Sequence, residues 1–110
     1  MSARLSADFW VSAYRARLEA AGIPAYVAAR GDAQAGAVLV KCAMLDGSAR
    51  LYGRAFGPEG ERVWMALAEG PEAEVDAAAA RQRRADPDLW IVEIEDRQGR
   101  TLLDEPGLAD

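Results

Sequence analysis

Histidine does not occur in this 110-residue chain. Ser-His-Asp and Cys-His nucleophilic arrangements, imidazole acid–base catalysis and histidine-ligated zinc are therefore excluded. A single cysteine, Cys42, rules out an intramolecular disulfide and a cysteine-rich zinc site, and nothing in it points to an oxidising compartment. Lysine is scarce too: 12 of the 13 cations are arginine, and Lys41 is the exception. Arginine beside abundant alanine fits GC-rich coding better than phosphate recognition. No stretch approaches the roughly 20 apolar residues of a membrane helix. Asp8, Arg15 and Arg17 interrupt the opening segment, so it does not read as a signal peptide. The expected location is the cytoplasm, with no membrane association. Any enzyme here would work with carboxylates, arginines, Lys41 or tyrosines, and no cofactor is implied.

What is present is ordinary globular composition, 51% apolar and 28% charged, which argues against disorder. A chain of this length buries about two thirds of its unfolded surface as one domain. The net charge of −5 is unevenly spread, with residues 1–58 at +3 and residues 59–110 at −8. An acidic total with few aromatics weighs against nucleic-acid binding.

The clearest element is a first helix. Ser6 is placed to cap it, with Leu5 and Trp10 as a hydrophobic staple. Trp10, Tyr14 and Leu18 make its buried stripe, Gly22 its left-handed stop, and Pro24 prevents continuation. Strands are expected over residues 25–30, 37–45, 48–55 and 62–68. A second helix opens at Gly70-Pro71, with Glu72, Glu74 and Asp76 early and Arg81, Arg83 and Arg84 late, matching the helix dipole. Its apolar face is thin. A fifth strand spans residues 89–95, and a glycine-bearing turn returns through a short sixth strand near residues 100–104, leaving 105–110 as a flexible tail. The expectation is a single α+β domain over 1–110. It holds a mainly antiparallel sheet of five to six strands, a β-meander after the first helix, and a second helix before a C-terminal hairpin. The fifth strand can pair beside the first strand or the fourth, and the helices mainly cover one sheet face.

Asp46-Gly47 reads as a two-residue type I′ turn. That turn sets Cys42 opposite Leu51, Lys41 opposite Tyr52 and Val40 opposite Gly53. Val38, Val40, Cys42, Met44 and Leu51 then share one face, while Lys41, Arg50, Tyr52 and Arg54 share the other with Leu39 and Leu45.

The segments "DFWVSAYRARLEAAG", "GDAQAGAVLVKCAMLDGSARLYG" and "DPDLWIVEIEDRQGR", in that order, resemble the alphaproteobacterial domain-of-unknown-function family 1491. The resemblance covers nearly the whole chain. It implies a single short bacterial cytoplasmic domain and assigns no reaction, cofactor or catalytic residue to any position.

Two constellations could carry chemistry. Glu93 and Glu95 project together from the fifth strand, with Asp86, Asp88 and Asp96 near its ends. Hard cations favour such oxygen sets, although no EF-hand spacing is present and a wetted sheet face with its turn acids is the better account of them. Lys41, Arg50, Tyr52 and Arg54 form a basic–aromatic face that could hold an anion or stack bases, or pair with acids across strands. Trp64 alternates away from Val63, Met65 and Leu67, and either covers the back of the sheet or marks a protein contact. Cys42 reads as a small core residue. Taken together, these features favour a non-enzymatic protein-interaction module that binds a protein partner or a second copy. A metal-dependent carboxylate hydrolase or small-ligand binder at Glu93 and Glu95 is one alternative. Weak anion or nucleic-acid binding at the basic–aromatic face is another.

Overall fold

The computed structural model describes residues 5–109. In chain order it holds α1 (Ala7–Ala20), β1 (Ala25–Ala29), β2 (Val38–Ala43), β3 (Ser48–Phe56), β4 (Arg62–Pro71), α2 (Glu72–Ala85) and β5 (Trp90–Glu95). The fold is α+β with one sheet in the order β1-β5-β2-β3-β4. All strand pairs are antiparallel except β2 with β5. Among the described residues no helix is long and apolar enough to cross a membrane.

The meander is shorter than expected, because β5 enters between β1 and β2. It pairs antiparallel with β1, as one expectation had it, and its other neighbour is β2 rather than β4. Its composition explains the place. Trp90, Ile91, Val92 and Ile94 are apolar on both faces and all are buried, which suits a central strand.

The two helices lie on opposite faces, correcting the expectation that they share one. On one face α1 lays Trp10, Val11, Tyr14 and Leu18 against Val40, Cys42, Trp90, Val92 and Ile94. On the other α2 lays Val75 and Ala79 against Leu39, Ala49, Leu51 and Ile91. The thin apolar stripe of α2 suffices because the sheet residues beneath it, Leu39, Ala49, Leu51 and Ile91, are themselves aliphatic.

Helix α1 ends as its sequence predicts. Gly22 has φ 74°, and the Ile23 and Gly22 amides donate to the Leu18 and Glu19 carbonyls. These are the two bonds of a Schellman stop. Its start differs: the Ser6 hydroxyl donates to Asp8 instead of capping, and Leu5 remains exposed outside any staple.

The β2–β3 register is one residue away from the two-residue-turn reading. Val40 faces Tyr52, Lys41 faces Leu51 and Cys42 faces Arg50. The loop is longer than Asp46-Gly47 alone. Leu45 takes φ 63° and Gly47 φ 90°, Asp46 accepts the Ser48 amide, and the Met44 amide donates to the Ser48 carbonyl. One added loop residue moves every β3 side chain to the opposite face. Leu51 thereby joins the α2 core while Tyr52 joins the α1 side.

Among the described residues no sixth strand pairs with the sheet; residues 101–109 coil back over α1. The expected tail is packed there. Leu103 and Leu108 are buried, Tyr14 Oη donates to the Thr101 carbonyl at 2.8 Å, and Arg17 donates to the Pro106 carbonyl at 2.8 Å. Asp110 lies outside the described residues.

Candidate interaction surface and the buried lysine

The revised register separates the proposed site residues. Lys41 lies on the α2 face, whereas Arg50, Tyr52, Arg54 and Trp64 lie on the α1 face. The four-residue cationic patch therefore does not form.

Lys41 is 4% exposed, and its ammonium is surrounded by carboxylates. Nζ lies 2.6 Å from Asp76 Oδ1, 2.7 Å from Glu72 Oε2 and 3.2 Å from Glu93 Oε1. Glu72 and Asp76, four apart on α2, present one helical face to the sheet, and Glu93 is the registered β5 neighbour of Lys41. Burial is the strongest single influence and opposes the charge, but hydrogen bonds to Asp76, Glu72 and Glu93 together outweigh it. The Lys41 pKa is raised above the ordinary lysine value. On the far side of Glu93, Tyr26 of β1 is its registered partner, and the neighbouring carboxylate raises the tyrosine pKa. The ammonium occupies the space between the acids where a cation would sit. Glu95 is half-buried one pleat further along, and among the described residues no group of three or more acids or thiols converges as a metal site.

On the α1 face the remaining residues are taken up by packing. The Arg54 guanidinium sits 4.7 Å from the Trp64 ring centre and 5.1 Å from that of Trp10, and the two rings lie 5.4 Å apart. Trp64 Nε1 donates to the Leu108 carbonyl at 2.9 Å. Tyr52 packs against the α1 core, and Arg50, two residues before it on the same strand, pairs with Glu69 at 3.4 Å. Little of this resembles an open stacking platform. Cys42 is fully buried, and burial pushes its thiol pKa up, away from nucleophilic use.

The two sheet edges differ sharply. At one, β1 is five residues long, follows Pro24 and carries a register shift between Val27 and Ala29. Shortness, proline and bulges are the usual protections of an edge. At the other, β4 runs ten residues and carries no charge from Val63 to Ala68. Met65, Ala66 and Leu67 are exposed in succession at its centre, Met65 at 46% and Leu67 at 43%. A hydrogen bond from the Gly57 amide to the Glu61 carbonyl closes the β3–β4 hairpin, and alternation from that pair turns the Trp64 and Ala66 amides outward. The register shift opposite Leu51 and Tyr52 is the one break in the strand. Sequence reading singled out Trp64 but missed Met65 and Leu67. The signal was available in an apolar run on both faces of a strand whose inner neighbour is the only one it has.

Comparison with known proteins agrees with this architecture. The chain is similar to a DUF1491 family protein from Caulobacter crescentus CB15, whose crystal structure shares 50% sequence identity at a TM-score of 0.84, over 94% of this chain and 98% of that one. It is also similar to protein Atu0922 from A. tumefaciens, known in solution, with 37% identity and a TM-score of 0.71 over 84% and 86% of the two chains. None of the curated proteins matches. The profile of the family described as "Protein of unknown function (DUF1491)" matches residues 5–104, and the chain belongs to that family.

Proposed function

We propose that this protein is a non-enzymatic protein-interaction module whose recognition element is the outer edge of β4. The observation that carries the reading is the exposed apolar run Met65-Ala66-Leu67 at the middle of a ten-residue edge strand, interrupted only by the bulge at Leu67. An edge of that length with no inward charge, lysine or proline at its centre is a template for another strand. Main-chain hydrogen bonds would supply affinity there, and alternate side chains specificity. Covering Met65 and Leu67 removes apolar surface worth about 1–2 kcal/mol each. Both edges carry one register shift, that of β4 falling at Leu67, so the contrast lies in length and composition: β1 is five residues long and follows Pro24, whereas β4 runs ten residues with an apolar centre.

The test is affinity capture from extracts of the source bacterium, using the wild type, a Met65→Lys/Leu67→Lys variant and a Phe9→Lys control. Phe9 is a 58% exposed aromatic on α1, so its replacement removes surface hydrophobicity away from the edge. Captured chains, or self-association, that survive Phe9→Lys and vanish with the β4 variant support the reading. Capture that both variants retain removes it.

A further inference from the structure

Resting on the reading of β4 as a recognition edge, we infer that its occupant is the β4 strand of a second copy of this chain, paired antiparallel about a two-fold axis at Met65. An isologous two-fold contact requires each residue and its opposite number to lie on the same sheet face, since the axis maps one strand onto the other. With Met65 on the axis that condition holds from Val63 to Leu67. Val63 stands opposite Leu67 of the second copy, and Trp64 opposite Ala66. Val63, Met65 and Leu67 share the α2 face: Met65 is the registered partner of Gly53, and Leu67 reaches toward the Cα of Gly53 beside Leu39. Pairing therefore gathers three apolar side chains from each copy into one strip. The outward amides of Trp64 and Ala66 meet one another's carbonyls.

Charge complementarity favours a second copy over an arbitrary strand. The apolar centre is flanked by Arg62 at one end and Glu69 at the other, both on the α1 face. Reversing a second β4 beside the first brings each basic end to an acidic end, so Arg62 of each copy lies one residue along from Glu69 of the other. At that end Glu61 turns its carboxylate back onto the Glu59 amide of its own loop. Glu69 pairs with Arg50 of its own chain at 3.4 Å and keeps 66% of its side chain exposed toward a second copy. The result is a continuous sheet of ten strands with both α1 helices on one face and both α2 helices on the other. A ribbon of this kind buries less than the roughly 1,600 Å² of a standard interface, so the dimer is expected to dissociate at micromolar concentrations.

Sedimentation equilibrium across a concentration series, together with oxidative crosslinking of Met65→Cys, tests the pairing. The wild type is expected to reach twice the 11.8 kDa chain mass. Met65→Lys, which sets two ammonium groups against each other on the axis, should weaken association by at least about 30-fold, as for a central hot spot. Met65→Cys should form a disulfide-linked dimer, because opposed residues in an antiparallel pair have Cβ atoms about 5 Å apart. Ser12→Cys, exposed on α1, should not. A wild type that stays monomeric at several hundred micromolar overturns the self-pairing. So does a dimer that Met65→Lys leaves intact and Met65→Cys fails to crosslink. A monomer that nevertheless captures another protein through Met65 and Leu67 removes the second copy as occupant while leaving the module reading in place.

Discussion

Lys41 Nζ stands 3.2 Å from Glu93 Oε1, the two residues being registered neighbours on the parallel strands β2 and β5. Their dependence on one another is measurable. Lys41→Met keeps all but one atom of the side chain's length and removes its charge, leaving Glu93, whose side chain is 17% exposed, without its cation. Glu72 and Asp76 are 41% and 54% exposed and can turn to water, so the loss centres on Glu93. Unfolding in urea should show a destabilisation of about 1–3 kcal/mol, the cost of one under-satisfied buried acceptor. Adding Glu93→Leu should recover most of it, because removing both members of a buried pair is close to neutral. Additive losses in the double variant would show that the two side chains act independently.

The Asp96 carboxylate supplies the acid sensitivity. It accepts the Arg100 amide at 2.7 Å and the Arg100 guanidinium at 2.9 Å, and those bonds hold its pKa below the ordinary 3.8. A depressed folded pKa means stabilisation that is present above the ordinary value and lost as pH falls through the folded one. Asp96→Asn should therefore melt below the wild type at neutral pH, and the gap should close on acidification below about pH 4. A gap that stays constant to pH 2.5 would remove the carboxylate's charge from the explanation.

The parts of the fold differ in how far local sequence discloses them. Local signals sufficed for the buried stripe of α1, marked by Trp10, Tyr14 and Leu18, and for its stop at Gly22, but not for its start, where Ser6 does not cap. They failed at the β2–β3 hairpin because Leu45 adopts a positive φ that leucine does not advertise, and one residue of loop inverted the faces. Lys41 was read as a surface charge because its acid partners arrive from α2, 31 and 35 positions later, and from β5, 52 positions later. A cue did exist: the chain's single lysine sits among Leu39, Val40, Cys42 and Ala43, while Glu72 and Asp76 share one helical face. The expected tail, residues 105–110, offered Leu108 as its one large apolar side chain, with no periodicity to announce its burial. The insertion of β5 between β1 and β2 is a long-range choice, yet apolar residues on both of its faces already favoured a central place.

Gly31 and Gly36 are placed against the same backbone. A Cβ at either position would collide with the Asp88 carbonyl oxygen; at Gly31 it would also fall 2.6 Å from Trp90 Cδ1, and at Gly36 2.8 Å from the Asp32 carbonyl oxygen. This loop is fixed to β5 by the Asp32 amide donating to Asp88 and by Trp90 Nε1 donating to the Asp32 carbonyl at 2.7 Å. Backbone cannot yield as a flexible side chain does, so Gly31→Ala and Gly36→Ala should each cost about 1–3 kcal/mol by overpacking. Gly22→Ala makes a useful contrast, since no atom lies within 4 Å of its added methyl and only the φ of 74° resists it. Chemical denaturation of the three variants should rank the loop pair at or above Gly22→Ala; the reverse order would mean that the loop moves away freely.

The closing segment should prove structural, although the family profile stops at residue 104. Leu108 is 1% exposed within the α1 core, and its carbonyl accepts Trp64 Nε1. The Arg17–Glu105 pair, 3.6 Å apart with both side chains more than 40% exposed, adds little beside that burial. Leu108→Ala should lower stability by about 2–5 kcal/mol, the range for truncating a buried leucine. A chain ending at residue 104 should lose a comparable amount and also admit water to Trp64 and Trp10, shifting tryptophan emission to the red under native conditions. Glu105→Gln, which removes only the exposed pair, should leave both melting and emission nearly unchanged. If the shortened chain matches the full one in both measurements, the segment contributes no packing, and Trp64 must be held by α1 and Arg54 alone.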